Sequence, residues 1–215
     1  MTEGAALDHV SKRFHRHVAL DDVTATFANA SIVGIVGPNG AGKTTMLRVL
    51  AGILRPSAGW VRRPFDGRVV YFGGEQTLPP DVSASRWVAL WSPVAARQTT
   101  ARRFGVLSRG TRQRIGLEVS LFPTETELLL LDEPWEGLDP AASRWLSDWL
   151  IRKRAGGAAV VVSSHRIHDL ASICDRCEFL ASGRLAAPVD CAPAWSHEQR
   201  VATLLNGFER ARIRS

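Results

Sequence analysis

Long apolar runs are missing from this chain of 215 residues. The longest, LLLL at Leu128 to Leu131 and AAVVV at Ala158 to Val162, fall far short of the ~20 apolar residues that a helix needs to cross a bilayer. A membrane-spanning helix is thereby excluded. The opening MTEGAALDHV has neither the basic start nor the apolar stretch of a secretory signal, so a cytoplasmic protein is expected. Cysteine is scarce, and three residues make no disulfide framework. The C-x-x-C of Cys174 and Cys177 lacks the second pair from which a zinc site is built. Lysine is rarer than the net charge of +6 suggests: of 27 basic residues only Lys12, Lys43 and Lys153 are lysines. The arginines are scattered from Arg13 to Arg214 with no interleaved aromatics, which reads as a solvated surface and not as a stripe for nucleic acid. No internal repeat and no low-complexity linker interrupt the chain. With 45% hydrophobic residues, this length fits one well-filled core, hence a single domain over 1–215.

What is present alternates between strand-like and helix-like patterns, the mark of an α/β fold with a largely parallel sheet. ALDDVTATF, SIVGIV, RVVYF, ELLLLD and AAVVVSS read as strands, the last two apolar throughout, as strands covered on both faces are. TTMLRVLAG, RGTRQRIGLEVSLF, PAASRWLSDWLIRKR and RIHDLASI read as helices. The tail, about 186–215, is uninformative until SHEQRVATLLNGFERARI, which has the pattern of a closing amphipathic helix.

The stretch GPNGAGKTT, from Gly37 through Pro38, Asn39, Gly40, Ala41, Gly42, Lys43 and Thr44 to Thr45, lies between the strand SIVGIV and the helix TTMLRVLAG. It matches G-x-x-x-x-G-K-[ST], the phosphate loop, in the strand-to-helix context that this loop requires. Glycines let successive backbone N–H groups turn inward around an anion, and the helix adds the positive end of its dipole. Lys43 would reach the β and γ phosphates, and the Thr44 hydroxyl would bind Mg²⁺. LLLLDEP, at the end of a buried strand, supplies two acids with different tasks. Asp132 would hold Mg²⁺ through a coordinated water, and Glu133 would orient and polarise the water that attacks the γ-phosphoryl group.

These residues resemble the ATP-binding cassette (ABC) transporter ATPases, and the resemblance runs from about Leu7 to Leu185. VSKRFHRHVALDDV is similar to the family's opening, with Phe14 where an aromatic stacks on adenine. GGEQTLPPDVSA is similar to the glutamine loop, which implies that Gln76 meets Mg²⁺ and the site of attack. LSRGTRQR resembles the signature, whose Ser108 and Gly110 would face the γ-phosphate of a partner's ATP in a head-to-tail dimer. GLDP carries the dimer-contact Asp139, and VVVSSHRIHDL carries His165 at the switch position. The implied fold is a P-loop NTPase core with a mostly parallel sheet, a small antiparallel N-terminal β subdomain and a short helical signature subdomain at about 77–122.

Two departures from the family pattern stand out. The signature reads LSRGT where LSGGQ is commonest, so Arg109 and Thr111 are substitutions beside the γ-phosphate; an outward-facing arginine would leave the site active. The helical arm between Gln76 and Leu107 looks trimmed. The resemblance implies ATP and Mg²⁺ as ligands, a second copy or a homologous subunit as dimer partner, and separate transmembrane permease subunits, with the signature variant leaning toward export. The permease is expected to dock on residues Thr77 to Ala101, where Trp87 and Trp91 are four apart on one helical face, either as arm core or as an aromatic anchor. The rival readings are a soluble cassette ATPase acting on nucleic acid or ribosomes, whose relatives usually carry long coiled coils or a second cassette, and a non-hydrolysing ATP-binding module, which Glu133 and His165 argue against.

Overall fold

The computed structural model describes residues 4–63, 68–74, 78–121 and 125–213. In chain order the elements are β1 (Ala5–Phe14), β2 (His17–Phe27), β3 (Ser31–Val36), α1 (Lys43–Leu50), β4 (Ala58–Arg62) and β5 (Arg68–Phe72). The short helices α2 (Ala84–Ala89) and α3 (Pro93–Ala96) and a 3₁₀ turn at Phe104–Val106 lead into α4 (Arg109–Leu121). Then follow β6 (Thr126–Asp132), α5 (Pro140–Ala155), β7 (Ala159–Ser164), α6 (Ile167–Ile173), β8 (Arg176–Ala181), β9 (Arg184–Leu185), β10 (Val189–Asp190) and α7 (His197–Ile213).

The larger sheet has the order β10-β8-β3-β7-β6-β5, with β9 beside β8, and its β8-β3-β7-β6-β5 part is parallel throughout. Covering both faces of such a sheet demands continuous apolar strands, which β6 and β7 supply. Because successive side chains alternate across a strand, Leu128 and Leu130 of β6 pack with Met46 and Leu47 of α1 on one face. Leu129 and Leu131 pack on the other with Leu146 and Leu150 of α5. The smaller sheet, β2-β1-β4, is antiparallel and closes over the α1 side through Leu7, Leu20 and Val23. A third cluster, Leu78, Ala84, Val88, Phe104, Ile115 and Val119, joins the arm to α4. The fold is thus the expected α/β architecture with an antiparallel subdomain and a helical arm.

Helix α5 starts where local chemistry requires. Asp139 is the N-cap, accepting from the Ala142 N–H at 2.8 Å, and Pro140 follows at a position where no N–H is needed. Arg152, Lys153 and Arg154 meet the negative end of its dipole in the last turn.

Strands β1, β4 and β8 carry mixed or irregular patterns that do not announce themselves, β9 lies just before the tail, and the tail contributes β10 before its helix. The tryptophan pair also sits differently from the expectation of one helical face. Helix α2 stops at Ala89, and turn bonds from Leu90 N–H to Trp87 O and from Trp91 N–H to Val88 O carry the chain onward. Trp87 is half-buried against the arm cluster, while Trp91 is 56% exposed.

Candidate functional site

The loop between β3 and α1 is shaped by one conformation that only glycine adopts freely. Gly42, the N-cap of α1, has φ 108°, and a Cβ there would lie 2.4 Å from the Ala19 carbonyl oxygen. Its own carbonyl accepts the first helical bond, from Met46 N–H at 2.8 Å. The Lys43 ammonium folds back over the loop. It donates to Gly37 O at 2.8 Å and Pro38 O at 3.3 Å, and stands 3.3 Å from Glu133 Oε1. Beside it opens a cavity of about 310 Å³ lined by Phe14, Asn39, Gly40, Thr44, Thr45 and Asp132 among others. The Phe14 ring is 40% exposed, with the Lys12 ammonium 5.0 Å from its centroid. Ala41 is buried beneath the loop, its N–H donating to Pro38 O at 3.2 Å.

The C-terminal end of β6 brings the acids to the same place. The Thr44 hydroxyl donates to Asp132 Oδ2 at 2.6 Å, and the Ser163 hydroxyl of β7 donates to Asp132 Oδ1. Glu133 has φ 47°, a left-handed backbone uncommon outside glycine. Its N–H is shared between the carbonyl and the hydroxyl of Ser163, both at 3.1 Å. Its Oε2 accepts from His165 N–H at 3.2 Å and lies 2.9 Å from His165 Nδ1. Lys43, Thr44, Asp132, Glu133 and His165 therefore form one connected cluster.

A hydroxyl and a carboxylate oxygen 2.6 Å apart at the cavity wall are hard oxygen donors of the kind Mg²⁺ takes. Among the described residues there is no group of three or more His, Cys, Asp or Glu placed to hold a metal. A magnesium ion needs none, since it commonly uses one or two protein oxygens together with water and substrate phosphate.

The signature lies elsewhere. Ser108, Gly110 and Asp139 line a separate cavity of about 510 Å³, which shares no lining residue with the first. Ser108 caps α4: its hydroxyl accepts from Thr111 N–H at 3.3 Å and is 2.8 Å from the Thr111 hydroxyl, so the threonine substitution engages the serine directly. Arg109, half-exposed, pairs with Glu136 at 2.8 Å, which adds a tether to the outward-facing position expected of it. Gln76 and Thr77 lie outside the described residues.

Two side chains at the site carry no motif of their own. Ser163 holds both acids, and Gln113 of α4 reaches the backbone at Glu133. The first is foreshadowed only by its place at the end of an apolar strand, the second only by its place inside LSRGTRQR. The three cysteines are all buried, and Cys174 and Cys177 lie against β3, where a Cβ on Gly34 would meet Cys177 Sγ at 2.9 Å and Cys174 Sγ at 3.1 Å. Bonding to Cys174, then burial, pushes the Cys177 thiol well above its ordinary range.

A family model described as ABC transporter matches residues 20–136. The zinc import ATP-binding protein ZnuC of Cereibacter sphaeroides is 37% identical over 188 residues, covering 80% of this chain and 76% of that protein. The daunorubicin resistance ATP-binding protein DrrA3 of Streptomyces coeruleorubidus is 30% identical over 210 residues, covering 84% of this chain and 66% of that one. The chain thus spans about two thirds of the length of several curated relatives that it matches. Among solved structures, the dimeric ABC transporter cassette MJ0796 superposes with a TM-score of 0.78 at 21% identity, over 87% of this chain and 99% of that one. With the family model matching residues 20–136 and relatives named ATP-binding proteins at 30% identity or more, the chain belongs to the ABC transporter family as one of its ATP-binding cassette ATPases.

Proposed function

We propose that the chain binds and hydrolyses ATP as the cytoplasmic, membrane-peripheral subunit of a transporter whose membrane-spanning parts are separate polypeptides. The observation that carries the reading is the single cluster of Lys43, Thr44, Asp132, Glu133 and His165 beside the loop cavity. Phe14 stacks on the adenine, the loop N–H groups and Lys43 cradle the phosphates, and Thr44 and Asp132 hold Mg²⁺, with Gln76 as a further contact. Bound there, Mg²⁺ supplies charge neutralisation at the β and γ phosphates. Glu133 aims and polarises the attacking water, and His165, bonded to the same carboxylate, keeps it aimed.

Among the described residues nothing closes the site over the γ-phosphate, because Ser108, Gly110 and Asp139 open onto a different cavity. A second chain, arranged head to tail, brings its α4 N-terminus to that charge. ATP thereby joins the dimer, and hydrolysis releases it. The neighbour structures described as dimeric, and as a post-hydrolysis state bound to ADP and Pi, support this cycle by fold. The relatives' names include both drug resistance and zinc import; the LSRGT signature leans the proposal toward export. Among the described residues no helix is long and apolar enough to cross a membrane. A cavity of about 320 Å³ lined by Tyr71, Phe72, Leu78, Trp87, Trp91 and Val119 suits a helix presented by a membrane subunit.

Replacement of Glu133 by glutamine tests the reading. The variant retains ATP binding, hydrolyses far more slowly and accumulates ATP-dependent dimers in light scattering. Turnover at the wild-type rate removes Glu133 from the chemistry.

A further inference from the structure

The backbone of Glu133 is held from a side that the phosphate loop and His165 do not reach. Gln113, one turn into α4, is 1% exposed. Its side-chain amide nitrogen donates to Glu133 O at 3.2 Å and to Pro134 O at 2.9 Å. A buried amide must find partners, and this one spends its donors on a segment whose first residue has a left-handed backbone at φ 47°. Glu136 N–H converges on the same Glu133 carbonyl at 3.1 Å. The first turn of α4 lies flush with that segment. A Cβ on Gly110 would meet Gly137 O at 2.4 Å, and Arg109 pairs with Glu136 at 2.8 Å.

Three holds thus converge on one residue. Ser163 fixes the N–H of Glu133, Lys43 and His165 fix its carboxylate, and Gln113 fixes its carbonyl. The first two holds come from the core sheet and its loops; the third comes from the signature helix. We propose that Gln113 is a positioning residue of the hydrolytic site, which ties α4 to the strained backbone from which the Glu133 carboxylate hangs. The proposal deepens the ATPase reading above and rests on it for its effect on turnover, while the contact itself is readable without nucleotide. Since Ser108 and Gly110 ride on the same helix, the element that caps a partner's nucleotide also sets the aim of this chain's own general base.

The test compares Gln113→Met, which keeps the length of the side chain and removes its donors, with Gln113→Lys, which restores a donor at the end of a flexible chain. Gln113→Asn, whose amide is withdrawn by one methylene, replaces the methionine variant if that one does not fold. Hydrogen exchange of residues 132–138 is followed without nucleotide, alongside thermal unfolding, equilibrium ATP binding and steady-state turnover. The donor-free variant exchanges faster in that segment by about tenfold, the effect of one or two net hydrogen bonds. Its ATP affinity and unfolding temperature stay near wild type. Its kcat falls by roughly tenfold to a hundredfold, as misplacement of a catalytic group produces, and the lysine variant recovers part of both. In a Glu133→Gln background the methionine replacement causes no further loss of turnover. Unchanged exchange overturns the proposal whatever the activity does, and so does faster exchange with normal kcat or a loss additive with Glu133→Gln. A wild-type chain without turnover, together with faster exchange in the variant, instead retires the ATPase reading and leaves the contact standing.

Discussion

Lys43 has two roles that one substitution removes together. It neutralises phosphate in the proposed complex, and it already pairs with Glu133 and the loop carbonyls of Gly37 and Pro38. Lys43→Ala is expected to lower ATP affinity by roughly tenfold to a hundredfold, the scale of a lost hydrogen bond to a charged group. Equilibrium binding of a fluorescent ATP analogue measures this, and wild-type affinity in the variant contradicts the assignment. Lys43, Thr44, Asp132 and Glu133 were legible in the sequence because the chemistry imposes spacing on residues a few positions apart. Ser163 and Gln113 were not, because serine and glutamine become informative only through what they face. The left-handed backbone of Glu133 was equally invisible: nothing in DEP distinguishes it from an ordinary strand end.

At the scale of the element, the signature helix and the arm each carry a separable expectation. Ser108 caps α4 and faces a cavity apart from the phosphate loop, so its contribution to hydrolysis is expected only across a dimer. Mixing Lys43→Ala chains with Ser108→Arg chains restores one composite site per mixed dimer. Hydrolysis that never exceeds the sum of the two separate mutants means either that the chains do not pair or that Arg109 disables the signature. In the arm, the alternative readings of Trp87 and Trp91, arm core or aromatic anchor, are separated by burial. Trp87 is half-buried on the Val88 and Phe104 cluster, so Trp87→Ala costs about 2 kcal/mol, less than a fully buried aromatic truncation. Trp91, mostly exposed at the edge of the groove, is the better anchor, since aromatic rings are enriched at binding hot spots. Trp91→Ala is therefore expected to leave the unfolding temperature and basal hydrolysis unchanged while abolishing co-purification with the proposed membrane subunit; full transport by this variant rules the anchor out.

Across the whole molecule, the parallel sheet gathers its chemistry at one end and hides charge inside. Glu178 of β8 is 2% exposed and pairs with Arg176 at 2.6 Å. Burial, outweighing that pairing, raises its carboxyl above the ordinary 4.5. Between 4.5 and the raised value the folded state holds a proton that the unfolded chain has released, so stability falls as pH rises through that window. Below the window the group contributes no such loss. Glu178→Gln is accordingly expected to show a flatter dependence of chemical-denaturation stability on pH than wild type as pH rises above 4.5. A steeper fall in the variant would mean that the Arg176 pair dominates.

The sequence by itself determined the strands that are apolar on both faces, the phosphate loop and the paired acids, because burial and phosphate chemistry act on neighbouring residues. It also determined the family. Only the tertiary structure decided that the antiparallel sheet is completed by β4: β1 pairs locally with β2, but β4 joins β1 across a long stretch of chain, as Leu7 opposite Val61 shows. Only it divided the site residues between two cavities, because the distance between the phosphate loop and the signature is set by how α4 packs on the sheet and not by their separation along the chain. The joining of Gln113 to Glu133 belongs to the same class: twenty residues apart in sequence, they meet because helix and strand end at one edge of the core.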